Sequence, residues 1–259
     1  MFLATSAAQA ADVNLNDWVA ENYPPVSGFS GANWMVNGPG GESVTQTING
    51  QPTIFYADTQ AQGTQVTGKA SVITNSDNDF FGFVLGFNPG DTMNSAADYL
   101  LVDWKQADQN FNFTGGTANL TPGSTATAGL AVSRVSGIPT ADELWGHFDG
   151  AGNANGGVQE LARASTSLGS TGWNNFEEYE FSFDFGPNNL VIKVNGVEQF
   201  NLAGSFSNGR IGFYNFSQDT VKYSAFTTDP GSFAVPLPAS AWLLIAAFGG
   251  LGLAKRRKA

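Results

Sequence analysis

The residues best placed for chemistry are oxygen donors. Asp77-Asn78-Asp79 sets three in a row, directly before the aromatic run Phe80-Phe81-Gly82-Phe83-Val84-Leu85-Gly86-Phe87. A calcium ion takes about six to eight oxygen ligands from carboxylates, amide carbonyls and the backbone, so the triplet is a candidate calcium loop. Strand alternation would direct Asp77 and Asp79 to one side. It is not an EF-hand, because the glycine and closing glutamate of that loop are missing after Asp79. The alternative is a polar turn at a sheet edge. A second group lies in Asp149-Gly150-Ala151-Gly152-Asn153-Ala154-Asn155-Gly156-Gly157. Asp149, Asn153 and Asn155 supply oxygens there, and the glycines let the chain either wrap an ion or form a long hairpin loop. Asp103 and Asp108, on either side of Trp104-Lys105-Gln106, read as solvated acids.

Hydrolysis has fewer candidates. There is no cysteine and a single histidine, His147, so thiolate nucleophiles and His-based metal clusters are excluded. His147 reads as a structural or loop residue. Retaining glycosidases hold two carboxylates about 5–5.5 Å apart. Glu178 and Glu180 share a face on a strand, but it is the polar side, opposite the Phe181, Phe183 and Phe185 rings. The Glu-x-Asp-x-x-Glu signature of laminarinase-type jelly-roll glycosidases is absent, as are a Gly-x-Ser-x-Gly elbow and a P-loop. A non-enzymatic protein is expected. Sugar binding has a separate basis: an exposed Trp145 or Trp173 would take a sugar ring, with Asn and Asp nearby for its hydroxyls. Buried, the same tryptophans would only fill the core.

Hydrophobic residues make up 42% of the 259, enough for a core, while charged residues are only 13%. The 22 acids and 11 bases give a net charge of −11, and four of the bases are Lys255, Arg256, Arg257 and Lys258. Without these four, 7 bases face 22 acids, a charge of −15. Such a body repels phosphate backbones, so no nucleic-acid partner is expected.

The elements that must position these groups are strands. Between residues 12 and 232 no long segment carries helical periodicity. Glu180-Phe181-Ser182-Phe183-Asp184-Phe185 alternates polar and aromatic residues. Leu190–Val194 and Val197–Phe200 flank Asn195-Gly196, the pair that a type I′ hairpin turn demands. Phe80–Phe87, Asp98–Lys105, Gly129–Val135, Arg210–Phe216 and Thr220–Phe226 are further strands. Their spacing predicts an all-β, antiparallel β-sandwich or jelly roll over residues 11–232. Thr114–Ala128, rich in Gly, Thr and Ala, is expected to be a loop.

The two ends read as addresses. Ala8-Gln9-Ala10 has the small-x-small pattern of a signal peptidase site, with Ala8 and Ala10 as its small positions. Residues 1–10 then form the back half of a signal peptide that starts upstream; a plain Ala-rich terminus is the alternative. At the other end Ala239–Ala254 is uncharged and mostly apolar. As a transmembrane helix it rises about 24 Å, short of the roughly 30 Å hydrocarbon core. Trp242 suits one interface and the basic cluster the cytoplasmic side.

Residues 233–259 resemble a PEP-CTERM sorting signal of Gram-negative envelope proteins. The resemblance rests on Val235-Pro236-Leu237-Pro238, Ala239-Ser240-Ala241-Trp242-Leu243-Leu244, Gly249-Gly250-Leu251-Gly252-Leu253 and the basic end. Leu237 stands where the name-giving form has glutamate. The resemblance implies a sorting motif at Pro236, Leu237 and Pro238. It also implies export, transient anchoring in the inner membrane with Lys255, Arg256, Arg257 and Lys258 inside, and tail removal by an exosortase.

The body carries a second resemblance. Asp77–Phe87, Asp98–Gln106, Gly129–Val132, Leu144-Trp145 with His147, Gly172-Trp173 and Gly209–Gln218 stand in the order and spacing of the thrombospondin C-terminal domain. Trp34 and Thr45-Gln46-Thr47 extend the match, which covers roughly residues 30–227. The resemblance implies a concanavalin A-like jelly roll, calcium binding with ligands in the Asp77-Asn78-Asp79 run, and an extracellular role in adhesion. Animal-type receptor binding does not carry over, because the chain has no Arg-Gly-Asp motif, no cysteines and no upstream Asp-rich repeats. The expected partners are an extracellular polysaccharide or a surface protein. A lectin-like module is the alternative function, and a glycoside hydrolase the remoter one.

Overall fold

The computed structural model describes residues 10–113, 125–148 and 156–230. Seventeen strands lie among the described residues. The first nine are β1 (Ala11–Asp12), β2 (Val19–Asn22), β3 (Trp34–Asn37), β4 (Ser43–Gln46), β5 (Thr53–Tyr56), β6 (Thr64–Val72), β7 (Phe80–Phe87), β8 (Asp98–Lys105) and β9 (Gln109–Asn110). Then come β10 (Thr125–Ala126), β11 (Gly129–Gly137), β12 (Gly156–Arg163), β13 (Glu178–Phe185), β14 (Asn189–Val194), β15 (Val197–Ala203), β16 (Arg210–Phe216) and β17 (Val221–Pro230). A six-residue helix, α1 (Ala141–Gly146), lies between β11 and β12.

Two large sheets form an antiparallel sandwich. The first runs β15-β14-β13-β6-β17-β4-β3, with β1 also paired to β17. The second runs β12-β11-β8-β7-β16-β5-β2. β7 lies between β8 and β16, and β6 between β13 and β17, so distant segments make the centre of each sheet. The expected all-β sandwich is therefore present. β7, β8 and β16 have the ends read from the sequence. The β14–β15 hairpin turns on Asn195 and Gly196, at φ 49° and 76°, the positive angles a type I′ turn requires.

The run Phe80–Phe87 does not alternate, and the reason lies in its place. Every residue of β7 is buried. Phe81, Phe83 and Leu85 join the core between the sheets, with Phe181, Phe183, Phe213 and Tyr223. Phe80 and Val84 face the other way, into a second core with Tyr99, Leu101, Trp145 and Phe216. A strand covered on both faces needs apolar residues at both parities. The second sheet is thus closed on its far face as well as its inner one.

α1 helps to close that face. Its start is a capping box: the Thr140 hydroxyl accepts from the Glu143 N–H, and the Glu143 carboxylate accepts from the Thr140 N–H. His147, at φ 51°, ends it in the left-handed region. Within the expected Thr114–Ala128 loop, Thr125 and Ala126 form β10 and pair with Asn110 and Gln109. No helix among the described residues is long and apolar enough to cross a membrane. The expected transmembrane segment, the sorting motif Pro236-Leu237-Pro238, the basic end Lys255–Lys258 and Ala8 lie outside the described residues. Ala10 is described and directly precedes β1.

Candidate functional site

Asp103 and Lys105 stand two apart on β8 and so project to the same side of the second sheet, the side that α1 covers. Lys105 is fully buried. Its Nζ donates to the Asn78 carbonyl at 2.7 Å, Asn78 Oδ1 at 2.9 Å, Asp79 Oδ1 at 2.6 Å and Gln109 Oε1 at 2.8 Å. The rings of Trp145 and Phe80 lie 5.0 and 5.8 Å from the same atom. Four oxygens and two π-faces surround the ammonium much as ligands surround a metal cation. Burial pushes Asp79 up to about 6, against the attraction and hydrogen bond of Lys105. Burial likewise lowers Lys105, against the pull of Asp79.

Asp77, Asn78 and Asp79 are the expected calcium ligands, and in this structure the oxygens of Asn78 and Asp79 face Lys105. Asp79 directly precedes β7, as expected, and its carboxylate and both Asn78 oxygens hold a cation, that of Lys105. Asp77 serves the turn: Oδ1 accepts the Asn78 N–H at 2.8 Å and Oδ2 accepts the Asn49 side-chain amide. No group of three or more His, Cys, Asp or Glu side chains that could hold a metal occurs among the described residues. With Lys105 in place, the Asp79 carboxylate and both Asn78 oxygens are not free for a second cation. Asp149, Asn153 and Asn155 lie outside the described residues.

The structure corrects the reading of Asp103, which is fully buried, not solvated. Its Oδ2 lies 2.9 Å from His147 Nε2, and Glu160 Oε2 lies 3.2 Å from His147 Nδ1. Arg163 closes the chain of charges with two donations to Glu160, at 3.0 and 2.8 Å. Burial alone would lower His147, but the two carboxylates outweigh it and hold the imidazolium up to about 9. Burial would raise Glu160, but His147 and Arg163 bring it down to about 2. His147 is therefore a structural cation at the end of α1. Asp108 keeps a turn role, accepting from the Ala128 N–H at 2.7 Å.

The aromatic and acidic candidates are placed as firmly. Trp145 and Trp173 are each 1% exposed, so neither offers a face to a sugar. The Trp173 Nε1 donates to the Asp79 carbonyl at 3.1 Å and ties the loop to the core. Glu178 and Glu180 are exposed on the outer face of the first sheet, and Glu178 pairs with Lys69 at 2.7 Å.

The described residues thus form an antiparallel β-sandwich in which Trp145, Trp173 and the buried charges serve the fold. The family model described as the thrombospondin C-terminal region matches residues 30–229, and the chain belongs to that family. Among curated relatives, thrombospondin-1 of Xenopus laevis is 26% identical over 200 residues, covering 74% of this chain and 16% of that protein. Thrombospondin-4 of Bos taurus is 26% identical over 215 residues, covering 78% of this chain and 21% of that protein. The chain spans less than a quarter of the length of either relative. Similar solved structures include a carbohydrate binding module from Bacillus subtilis, at 10% identity and a TM-score of 0.48, covering 79% of this chain and 96% of that one. A glycoside hydrolase family 16 endo-glucanase from Bacteroides ovatus aligns at 11% identity and a TM-score of 0.43, covering 84% and 98%. Likeness at this level says nothing of function.

Proposed function

We propose that the protein is a non-catalytic, extracellular binding module of adhesion or lectin-like type. The observation that carries this reading is the family match over residues 30–229, which spans nearly the whole described sandwich. Curated relatives that match this chain include thrombospondins, of which it covers less than a quarter. The placement of Glu178 and Glu180 on an open outer face, with Glu178 tied to Lys69, lends the glycosidase alternative no support. In this reading the module is exported, its tail is processed by an exosortase, and it acts at the cell envelope or outside the cell. Its partner there is a surface protein or a polysaccharide. Calcium enters the reading only through residues other than Asn78 and Asp79, with the 149–157 segment as the remaining candidate.

The test is binding of the purified full chain to immobilised extracellular polysaccharides and to whole cells, with and without millimolar calcium. Saturable binding supports the reading. Absence of binding to every surface, together with cleavage of any oligosaccharide on long incubation, overturns it. A melting temperature that rises with calcium, and does so equally in Asp79→Asn, would assign the ion to another part of the chain.

A further inference from the structure

The N-terminal segment crosses from one sheet to the other, because β1 pairs with β17 and β2 with β5. Beneath the crossing lies a cavity of about 300 Å³, at the lower end of the usual size for a small-ligand pocket of about 300–1,000 Å³. Its floor is core: Trp18, Val66, Ile211 and Phe226. Trp18 is fixed there by Phe213 and Phe55, with ring centroids at 4.6 and 5.8 Å, so the floor is formed in advance. The rim is acidic: Asp12, Asp17 and Asp58 all line it, and no lysine or arginine does. Asp17 accepts from Asn14 at 3.2 Å, and neither Asp12 nor Asp58 makes an ion pair among the described residues. Arg210 reaches only the Asp58 backbone carbonyl, at 3.3 Å.

We propose that this cavity binds one protonated amino-sugar residue of a cationic polysaccharide. Three features select that chemistry together. The three rim carboxylates do not converge as a metal site does, so their charge is spread for a larger cation. A pyranose ring has hydroxyls for Asn14, Gln60, Thr64 and Thr228, which share the rim above a floor of buried core side chains. Low-dielectric walls lined by one sign of charge focus the field on an ammonium group, on a chain whose net charge is already −11. A neutral or N-acetylated sugar leaves those carboxylates unpaired. The proposal rests on the binding-module reading and names the ligand class for it.

The experiment is calorimetric titration of the full chain with four oligomers: a β-linked glucosamine tetramer, its N-acetylated form, the corresponding glucose tetramer, and tetralysine. The glucosamine tetramer should bind at least about tenfold more tightly than the other three, the size of a lost hydrogen bond to a charged group. Asp12→Asn and Asp58→Asn should each weaken it several-fold, and salt should weaken it in the unaltered chain. Both positions are exposed, so the variants are expected to melt as the parent does. Glu180→Gln, an exposed acid on the outer face of the first sheet, should leave the affinity unchanged. Equal affinity for the acetylated tetramer would overturn the proposal, as would tetralysine binding as tightly with the same dependence on Asp58. So would glucosamine binding untouched by both rim variants. If polysaccharide or cell binding persists in Asp58→Asn while the tetramer result fails, the cavity assignment falls and the binding-module reading stands.

Discussion

Replacing Lys105 by methionine removes the ammonium from its cage while keeping most of the length of the side chain. Asp79 is then left as a buried carboxylate with no cation; its side chain is 3% exposed and that of Lys105 0%, so solvent makes up none of the loss. Breaking a buried pair in this way costs about 3–5 kcal/mol. For a domain of this size each kcal/mol moves the melting temperature by about 2–4 °C, so the shift should be about 6–20 °C. The pH dependence is the sharper part. Burial has already raised Asp79 to about 6 in the folded chain. A carboxyl raised on folding favours the fold most below its unfolded value, and that contribution is lost as pH rises through about 6. Without Lys105 the folded value climbs further. At pH 5 the acid is protonated in both proteins, and the variant should lie nearer the parent, short only by the hydrogen bonds that the Asn78 and Gln109 oxygens lose. At pH 8 the full penalty should appear. Thermal melts of the parent, Lys105→Met, Asp79→Asn and the double variant at both pH values form a complete cycle. The double variant should recover most of the loss at pH 8, because no uncompensated charge remains. An offset under about 2 °C at pH 8, well below the predicted range, or one equal at the two pH values, would refute the internal-cation account.

His147 gives a second pH window. Its folded value of about 9 exceeds the unfolded 6.5, so its contribution is complete below 6.5 and lost as pH rises through 9. That difference amounts to about 3 kcal/mol, and an NMR titration of the single imidazole should find the high value, which Glu160→Gln should lower. Gly172→Ala should destabilise by at least about 1–3 kcal/mol in denaturant melts. The added Cβ would sit 1.8 Å from the Gln106 carbonyl oxygen, a backbone atom with no room to yield. Asn195→Ala should cost about 1–2 kcal/mol in the same assay for its left-handed backbone, whereas Asn195→Gly should lose less.

The parts of the fold that could be read in advance were those governed by local chemistry. The Asn195-Gly196 turn, the alternation of β13 and the ends of β7, β8 and β16 depend on neighbours in the chain. α1 was also legible: Thr140-x-x-Glu143 ahead of Leu144-Trp145 is a capping-box pattern that the strand-rich context obscured. The site was less legible because its partners meet only through the topology. Lys105 lies 26 residues from Asp79, and Asp103 lies 44 from His147. An acidic triplet before a strand looks the same whether a metal or a lysine fills it. The one local hint was the unbroken apolar character of Phe80–Phe87. It marks a strand covered on both faces, and hence makes Lys105, paired across from Phe80, an interior residue.

The same burial shapes what the surface can attract. Of the seven bases that precede the tail, Lys69, Lys105, Arg134 and Arg163 are held in ion pairs, leaving Lys193, Arg210 and Lys222 with none among the described residues. The chain's 22 acids therefore meet few free cations of its own. A rim with such an excess repels uronate or sulfated polymers and draws cationic ones, with a reach of about 10 Å at 0.1 M salt. Binding carried by this field should strengthen as salt is lowered for a cationic polymer. An anionic polymer should bind weakly at every ionic strength. If instead an anionic polysaccharide bound tightly at low salt, the contact would have to lie at a basic locus, and Lys193, Arg210 and Lys222 would be the first residues to substitute.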